Sequence, residues 1–415
     1  MEKYILLLIL MVYYPLSADD ANLTKEAEAE AKAYELYLTP IPIIGVNPAF
    51  GFIYGVGASA SMYMGDPKST RISNMLAGVA KTTNDQLIIT FKSTAYLSDD
   101  SWILVGDWRY LDSSQPTYGL GTGPDSSKLA TNGSSYDDKV TGVINPAQMM
   151  AFQYIRIYET ALKRIKDDFY LGLGYHLDYY SNIKDNLLDL ESDPKNITSH
   201  YGYSLEHGFD PTKSILSGIS LDFMFDSRDS VINPYSGRYA YASFRYNAEF
   251  IGSDQDSSTF WLEYRDYINL TPKNEYPNIL AFWAYGNFVT SGNVPYLDLG
   301  ATSYDQYAKS GRGYVQGRFR GEQSVYLESE YRQHFGLWRV PFTKFDMPIG
   351  GVLFANAQTM SSKGNDIALG KYIEPGGGLG LRFMLQKKTR TNLTLDYGWG
   401  NYHSSGLYLR LNETF

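Results

Sequence analysis

The chain has 415 residues, 45 acidic against 36 basic side chains, a formal net charge of −9 and no cysteine. The missing cysteine excludes disulfides, thiolate nucleophiles and Cys-ligated metal sites, and the acidic balance argues against nucleic acid as a partner, which needs a clustered basic face. With 37 Tyr and 38 Gly, the composition suits an all-β transmembrane antiparallel β-barrel: its outer face meets lipid, its lumen is polar, and aromatic residues gather at both interfaces.

Met1-Glu2-Lys3, an apolar core from Ile5 to Val12 and the segment Tyr13–Ala18 have the layout of a secretory signal cleaved near Ala18. That core is well short of the ~20 residues a spanning helix takes, and no later run reaches ~18, so membrane crossing falls to strands. Residues 19–48 read as a short periplasmic segment. Asp19–Tyr37 is polar and Ala/Glu-rich, with Thr24 placed to cap a short helix and Glu28 and Lys32 at i, i+4. Thr39-Pro40-Ile41-Pro42-Ile43-Ile44 is extended, because each proline keeps its predecessor out of the helical region. The barrel is expected to fill 49–415.

From Gly51 onward the hydrophobic period is two. Leu379, Leu381, Phe383 and Leu385 alternate with Gly380, Arg382, Met384 and Gln386, which sorts the two sets onto opposite faces of a strand. Strands are expected near Gly51–Met64, Arg71–Lys81, Gln86–Leu97, Ser101–Tyr110, Ala147–Thr160, Asp168–Ser181 and Ile215–Asp226, then near Arg238–Phe250, Thr259–Leu270, Asn278–Val289, Glu322–Phe335, Ile349–Gln358, Glu374–Gln386, Thr391–Gly398 and Gly406–Phe415. These are fifteen, and a single-chain bacterial barrel takes an even number. A sixteenth is placed at Thr117–Gly121, with Tyr37–Gly45 as the alternative. Links such as Lys387–Arg390 and Thr271–Pro277 are short and alternate with longer ones such as Asn182–Ser214 and Thr290–Gly321, as periplasmic turns and external loops do.

Chemistry-bearing patterns are sparse. The histidines 176, 200, 207, 334 and 403 form no metal-ligand spacing, and Gly57-Ala58-Ser59-Ala60-Ser61 lacks the last glycine of a nucleophile elbow. Gly119–Gly123 and Gly376–Gly380 lack the following helix that a phosphate cradle needs, so these glycines read as points of curvature or close approach. No cofactor, metal or catalytic residue is therefore assigned. On the strand Glu322–Phe335 the alternation sends Val325, Leu327 and Tyr331 to lipid and Glu328, Glu330, Arg332 and His334 to the lumen, where Arg382 and Asp396 also point. The preceding segment, Ser310-Gly311-Arg312-Gly313-Tyr314-Val315-Gln316-Gly317-Arg318-Phe319-Arg320-Gly321, sets three arginines among glycines. It suits either a loop folded into the lumen onto those carboxylates or a flexible basic external loop.

At these residues the sequence resembles the BamA/TamA-like superfamily, also called bacterial surface antigen barrels. Arg312-Gly313-Tyr314 matches the motif of its sixth external loop, with Glu330-Tyr331-Arg332 following. Asp226, Arg228 and Asp229, then Pro234 and Gly237, resemble its periplasmic turn, and 378–383 and 395–398 its last strands. The resemblance covers roughly Ile215 to Phe415. It implies sixteen strands and a lumen-inserted loop whose Arg312 bonds an inner-wall acid. The family's wall motif would fall at Phe354-Ala355-Asn356-Ala357-Gln358, where Asn replaces its Asp, so Glu328 or Glu330 becomes the expected partner. Leu407, Leu409, Leu411 and Phe415 resemble the signal read by the outer-membrane assembly machinery, with Glu413 breaking the apolar set. The family's periplasmic polypeptide-transport-associated domains are not expected between Ala18 and Gly51. These features imply an integral outer-membrane barrel of the assembly and translocation superfamily in a Gram-negative-type cell, not an enzyme. It would act without its own periplasmic domains, as an insertase-like body or gated pore. Outer-membrane lipids, lipopolysaccharide and the assembly machinery are the expected partners, and any periplasmic partner is unknown. A passive channel and a rim-located phospholipase or protease are the alternatives. A docked Arg312 loop and weakly paired first and last strands would favour the superfamily role.

Overall fold

Alternating side chains and Gly/Asn/Asp turns carry this chain around a cylinder in a computed structural model that describes residues 32–415 apart from 48, 124–134, 137–138, 141–146, 194, 306–307, 344 and 388–389. The expected signal segment and most of the Ala/Glu-rich stretch lie outside the described residues. Sixteen antiparallel strands form a closed barrel in sequence order. They are β1 (Tyr37–Asn47), β2 (Gly51–Met62), β3 (Ser73–Thr82), β4 (Leu87–Tyr96), β5 (Trp102–Thr117), β6 (Gln148–Lys166), β7 (Phe169–Asp185) and β8 (Ser214–Asp226), then β9 (Gly237–Asn247), β10 (Ser257–Asn269), β11 (Ile279–Gly292), β12 (Gln323–Arg339), β13 (Asp346–Met360), β14 (Glu374–Gln386), β15 (Thr391–Gly400) and β16 (Ser405–Leu411).

The strand expected at Thr117–Gly121 is not there. Thr117 is the last residue of β5, which runs seven residues further than the alternation suggested, and 118–123 is irregular chain tied by a bond from Gly121 N to Arg320 O. The sixteenth strand is β1, the alternative placement, so the barrel begins at Tyr37 rather than at 49 and the expected periplasmic segment loses its second half to the wall. Two prolines disguise β1 as a linker. Proline removes a ladder donor, and a strand tolerates that on an edge.

The alternation does its sorting as expected. Val56, Leu173, Ile219, Phe223, Leu262, Leu327 and Leu379 are exposed on the outside, and a continuous apolar outer surface of this kind is what hydrocarbon requires. Inside, buried aromatics pack in clusters. One joins Trp283 and Tyr285 of β11 and Tyr326 of β12 to Phe415 at the end of the chain. Among the described residues no helix is long and apolar enough to cross a membrane.

Candidate functional site: a lumen loop, its ion ladder and the seam

Between β11 and β12, residues 293–305 and 308–322 turn into the barrel. A short ladder pairs Gly300–Ala301 with Arg320–Gly321 and closes the loop on itself. At its tip Arg312 is fully buried. Its Nη1 donates to Asp396 Oδ2 at 2.8 Å, and its Nη2 donates to Glu328 and Glu330. The Phe354 ring lies 3.6 Å from the guanidinium carbon. Asn356, where the superfamily carries Asp, donates from Nδ2 to the Arg312 carbonyl at 3.0 Å, so it grips the backbone instead of the charge.

The carboxylates around Arg312 have other partners too. Arg332 Nε donates to Glu330 at 2.7 Å, Arg382 Nη1 to Asp396 at 2.6 Å and Arg382 Nε to Glu413 at 2.8 Å. The result is a ladder of alternating sign: Arg332, Glu330, Arg312, Asp396, Arg382, Glu413. Glu328 stands beside it and accepts from the Tyr326 hydroxyl as well. Four carboxylates therefore share three guanidiniums. Such a network is stable only when its members are hydrogen-bonded throughout, because the surroundings screen so little.

The backbone explains the glycines. Gly313 sits at φ +104°, a region closed to most side chains, and a Cβ there would lie 2.4 Å from the Trp399 carbonyl oxygen. Its N–H donates to the Tyr408 hydroxyl at 3.0 Å. Tyr314 follows into the same wall: its hydroxyl donates to Pro375 O at 2.5 Å and accepts from Asn401 N at 2.8 Å. A Cβ on Gly400 would come within 2.4 Å of the Tyr314 ring, so the bare surface of β15 is what lets the loop lie flat.

The three loop arginines do three different things. Arg320 donates to the carbonyls of Tyr296 (2.8 Å) and Leu297 (3.0 Å) and to the Tyr304 hydroxyl (2.8 Å), and so binds the loop to itself. Arg318 lies among the rings of Tyr118, Phe319 and Tyr402 at 4.3, 4.7 and 5.0 Å. Burial pushes its pKa below the usual arginine value. Of the three, among the described residues, only Arg312 meets carboxylates.

The turn residues 227–236 are also tied. Asp226 accepts from Arg228 Nε (2.8 Å) and Nη2 (2.9 Å), and Asp229 accepts from Tyr235 N at 2.9 Å. Arg390, in the turn after β14, donates to Asp229 Oδ2 at 2.7 Å and lies 3.9 Å from the Tyr235 ring, so two turns on the same rim are joined. Pro234 is buried, and Gly237, at φ +102°, leaves room for the Ser227 carbonyl.

The last residues depart from expectation. Leu407 is exposed on the outside, but Phe415 does not share its face. The strand stops at Leu411, Asn412 takes φ +66°, and the tail turns into the lumen. There Phe415 is buried 5.3 Å from Trp283, Arg332 Nη2 donates to its backbone oxygen at 2.8 Å, and Glu413 joins the ladder. In this structure Phe415 is therefore not part of an outward apolar stripe. The glutamate that interrupts the alternation was the one sequence sign of an inward tail.

Two histidine pairs are found away from the ladder. His176 Nε2 lies 2.8 Å from Ser220 Oγ, and Asp222 Oδ2 accepts from that serine at 2.6 Å, so the hydroxyl stands between the imidazole and the carboxylate. His200 Nδ1 lies 2.8 Å from Asp185 Oδ2, and both side chains are buried. Among the described residues no metal-binding cluster occurs.

Among the described residues the barrel closes between β1 and β16 through a single residue pair, Val46 with Leu409. By contrast β1 pairs with β2 along its whole length, Tyr37 to Asn47. A closed sixteen-strand wall, a loop in the lumen and a seam of one pair together decide the architecture. It is the fold of the BamA and CdiB barrels. The chain superposes on BamA from Haemophilus ducreyi lacking POTRA domains 1–3 with a TM-score of 0.52 at 13% identity, over 94% of this chain and 77% of that one. On CdiB from Escherichia coli the TM-score is 0.54 at 9% identity, over 92% of this chain and 63% of that one. The chain thus spans less than two thirds of that CdiB. Neither a family model nor a curated protein sequence matches it.

Proposed function

We propose that this chain is an integral outer-membrane barrel of the BamA/TamA-like superfamily, and that it works as an insertase-like, membrane-perturbing body whose seam parts while the Arg312 loop keeps the lumen closed. The observation that carries this reading is the one-pair seam beside a loop held by three carboxylates. A cylinder whose other strand pairs are zipped over many residues opens most readily where one pair holds it. Lipids and lipopolysaccharide of the outer membrane are its surroundings, and the assembly machinery inserts it. A passive channel is disfavoured by the loop in the lumen. A rim hydrolase is disfavoured because neither histidine pair has the nucleophile–base–carboxylate order that activates a hydroxyl.

The test locks the seam. The chain has no cysteine, so Val46→Cys with Leu409→Cys places one disulfide across the pair. In phospholipid vesicles the reduced double variant should speed the folding of an added outer-membrane barrel client. The oxidised form should not, and reductant should restore the effect. Equal client folding in both forms would overturn the proposal.

A further inference from the structure

Which groups line the seam follows from the bonding pattern of its neighbours. Thr83 N donates to Phe52 O, so even-numbered residues of β2 bond towards β3. Odd-numbered ones then bond towards β1, and register pairs Ile43 with Gly55 and Gly45 with Ile53. Odd residues of β1 are thus spent on β2, and even ones, Leu38, Pro40, Pro42, Ile44 and Val46, aim their backbone groups at the seam. On the other bank Asn412 N donates to Asn392 O, so the odd residues of β16 face the seam. Val46 with Leu409 is the pair that results.

Continuing that register past the pair sets Ile44 against Leu411, Pro42 against 413 and Pro40 against 415. The two tail residues that would face β1 meet two prolines, which have no N–H to give. Zipping beyond Leu411 therefore forms only half of its ladder bonds, those to the proline carbonyls, and the tail finds its partners in the lumen instead, on Arg382 and Arg332. The same substitution of donors makes the open edge tolerable in hydrocarbon, where each unsatisfied N–H costs several kcal/mol. The banks are apolar: Leu38, Pro40, Pro42 and Ile44 on one side, Leu407, Leu409 and Leu411 on the other.

We infer that the slot below Val46 and Leu409 is filled by the acyl chains of a membrane lipid and not by an added β-strand. Pro40 and Pro42 keep it so. An incoming strand needs a row of donors and acceptors, and this edge has lost two of its donors. An acyl chain needs only an apolar cleft. The inference rests on the proposed seam and names its occupant.

The experiment uses single-cysteine variants of the full chain carrying a small fluorophore, in vesicles of phosphatidylethanolamine and phosphatidylglycerol with brominated acyl chains. Ile43→Cys reports the inner side of β1 beside the slot. Val56→Cys, outside on β2, is the lipid-facing reference, and Thr90→Cys, inside on β4, is the lumen reference. Quenching at Ile43→Cys should approach that of Val56→Cys and exceed that of Thr90→Cys. Adding Pro40→Val and Pro42→Val restores both donors, and quenching at Ile43→Cys should fall to the lumen level. Pro42→Ala alone should give part of that fall if the double change prevents folding. Quenching at Ile43→Cys no greater than at Thr90→Cys overturns the inference, as does quenching indifferent to the prolines. Loss of quenching on addition of a synthetic amphipathic strand peptide would put a strand in the slot and overturn it too. Client folding plays no part in the readout, so a failed seam lock and a failed quench are distinguishable.

Discussion

Replacing Arg312 by Ala is the most informative perturbation. The native ladder balances four carboxylates with three guanidiniums. Without Arg312 the same four face only Arg332 and Arg382, and Glu328 is left with no cation in contact. Removing one partner of a buried ion pair costs about 3–5 kcal/mol, chiefly because the opposite charge stays buried alone. If that cost falls on loop docking, the ratio of docked to released loop drops by roughly two to three and a half decades. Lys309, Arg312, Arg318 and Arg320 are trypsin sites that docking hides. The assay is therefore limited trypsin digestion of the folded barrel in detergent, with heat-modifiable gel mobility as the check that the wall is intact. The wild type should resist cleavage in 309–320, Arg312→Ala should be cut there and show raised conductance in planar bilayers, and Arg312→Lys should fall between, since it keeps charge without the planar fork. An intact wall with wild-type resistance and conductance in Arg312→Ala would refute the reasoning.

Three further outcomes follow from the geometry. Gly313→Ala forces a side chain into a positive-φ position against the Trp399 carbonyl; at about 1–3 kcal/mol of backbone strain it should release the loop in the same digestion while every charge remains. Phe415→Ala should lower stability by about 3–5 kcal/mol, the range for a buried Phe, and should change the Trp283 environment, both measurable by tryptophan fluorescence in a urea titration; an unchanged midpoint would show that the tail is not packed in the lumen. Arg228→Ala leaves Asp226 with Arg71 at 3.4 Å and the backbone N–H of residue 228 at 3.3 Å and should cost about 1–3 kcal/mol, read as a lower urea midpoint with loop 309–320 still protected from trypsin.

The sequence made the wall legible because a strand's two faces differ at every second residue, and lipid punishes an error at each one. Leu379 and Leu381 against Gly380 and Arg382 are enough to place β14. Glu328, Glu330, Arg382 and Asp396 were readable as inward by the same rule, and their contact with Arg312 is where the structure brings them together. What stayed hidden depends on neighbours far away in sequence. Pro40 and Pro42 look like strand breakers until the strand is known to border a seam, where a missing donor has no ladder to spoil. Phe415 shares the odd parity of Leu407, Leu409 and Leu411 across the break at Glu413, yet it turns inward, because what decides its place is the proline opposite and the arginines of β12 and β14. Arg318 and Arg320 share the composition of Arg312 but differ in what surrounds them, which no local pattern encodes.

The ladder that runs from Arg332 through Arg312 to Glu413 also works as a tether. It fastens the lumen loop and the tail of the final strand to one another through shared carboxylates, so a force that drags either one is transmitted to the other. Widening the gap beside β16 tugs at the tail, the tail strains Arg382 and Arg332, and the load arrives at the tip of the loop. The loop and the tail of this cylinder are mechanically one piece.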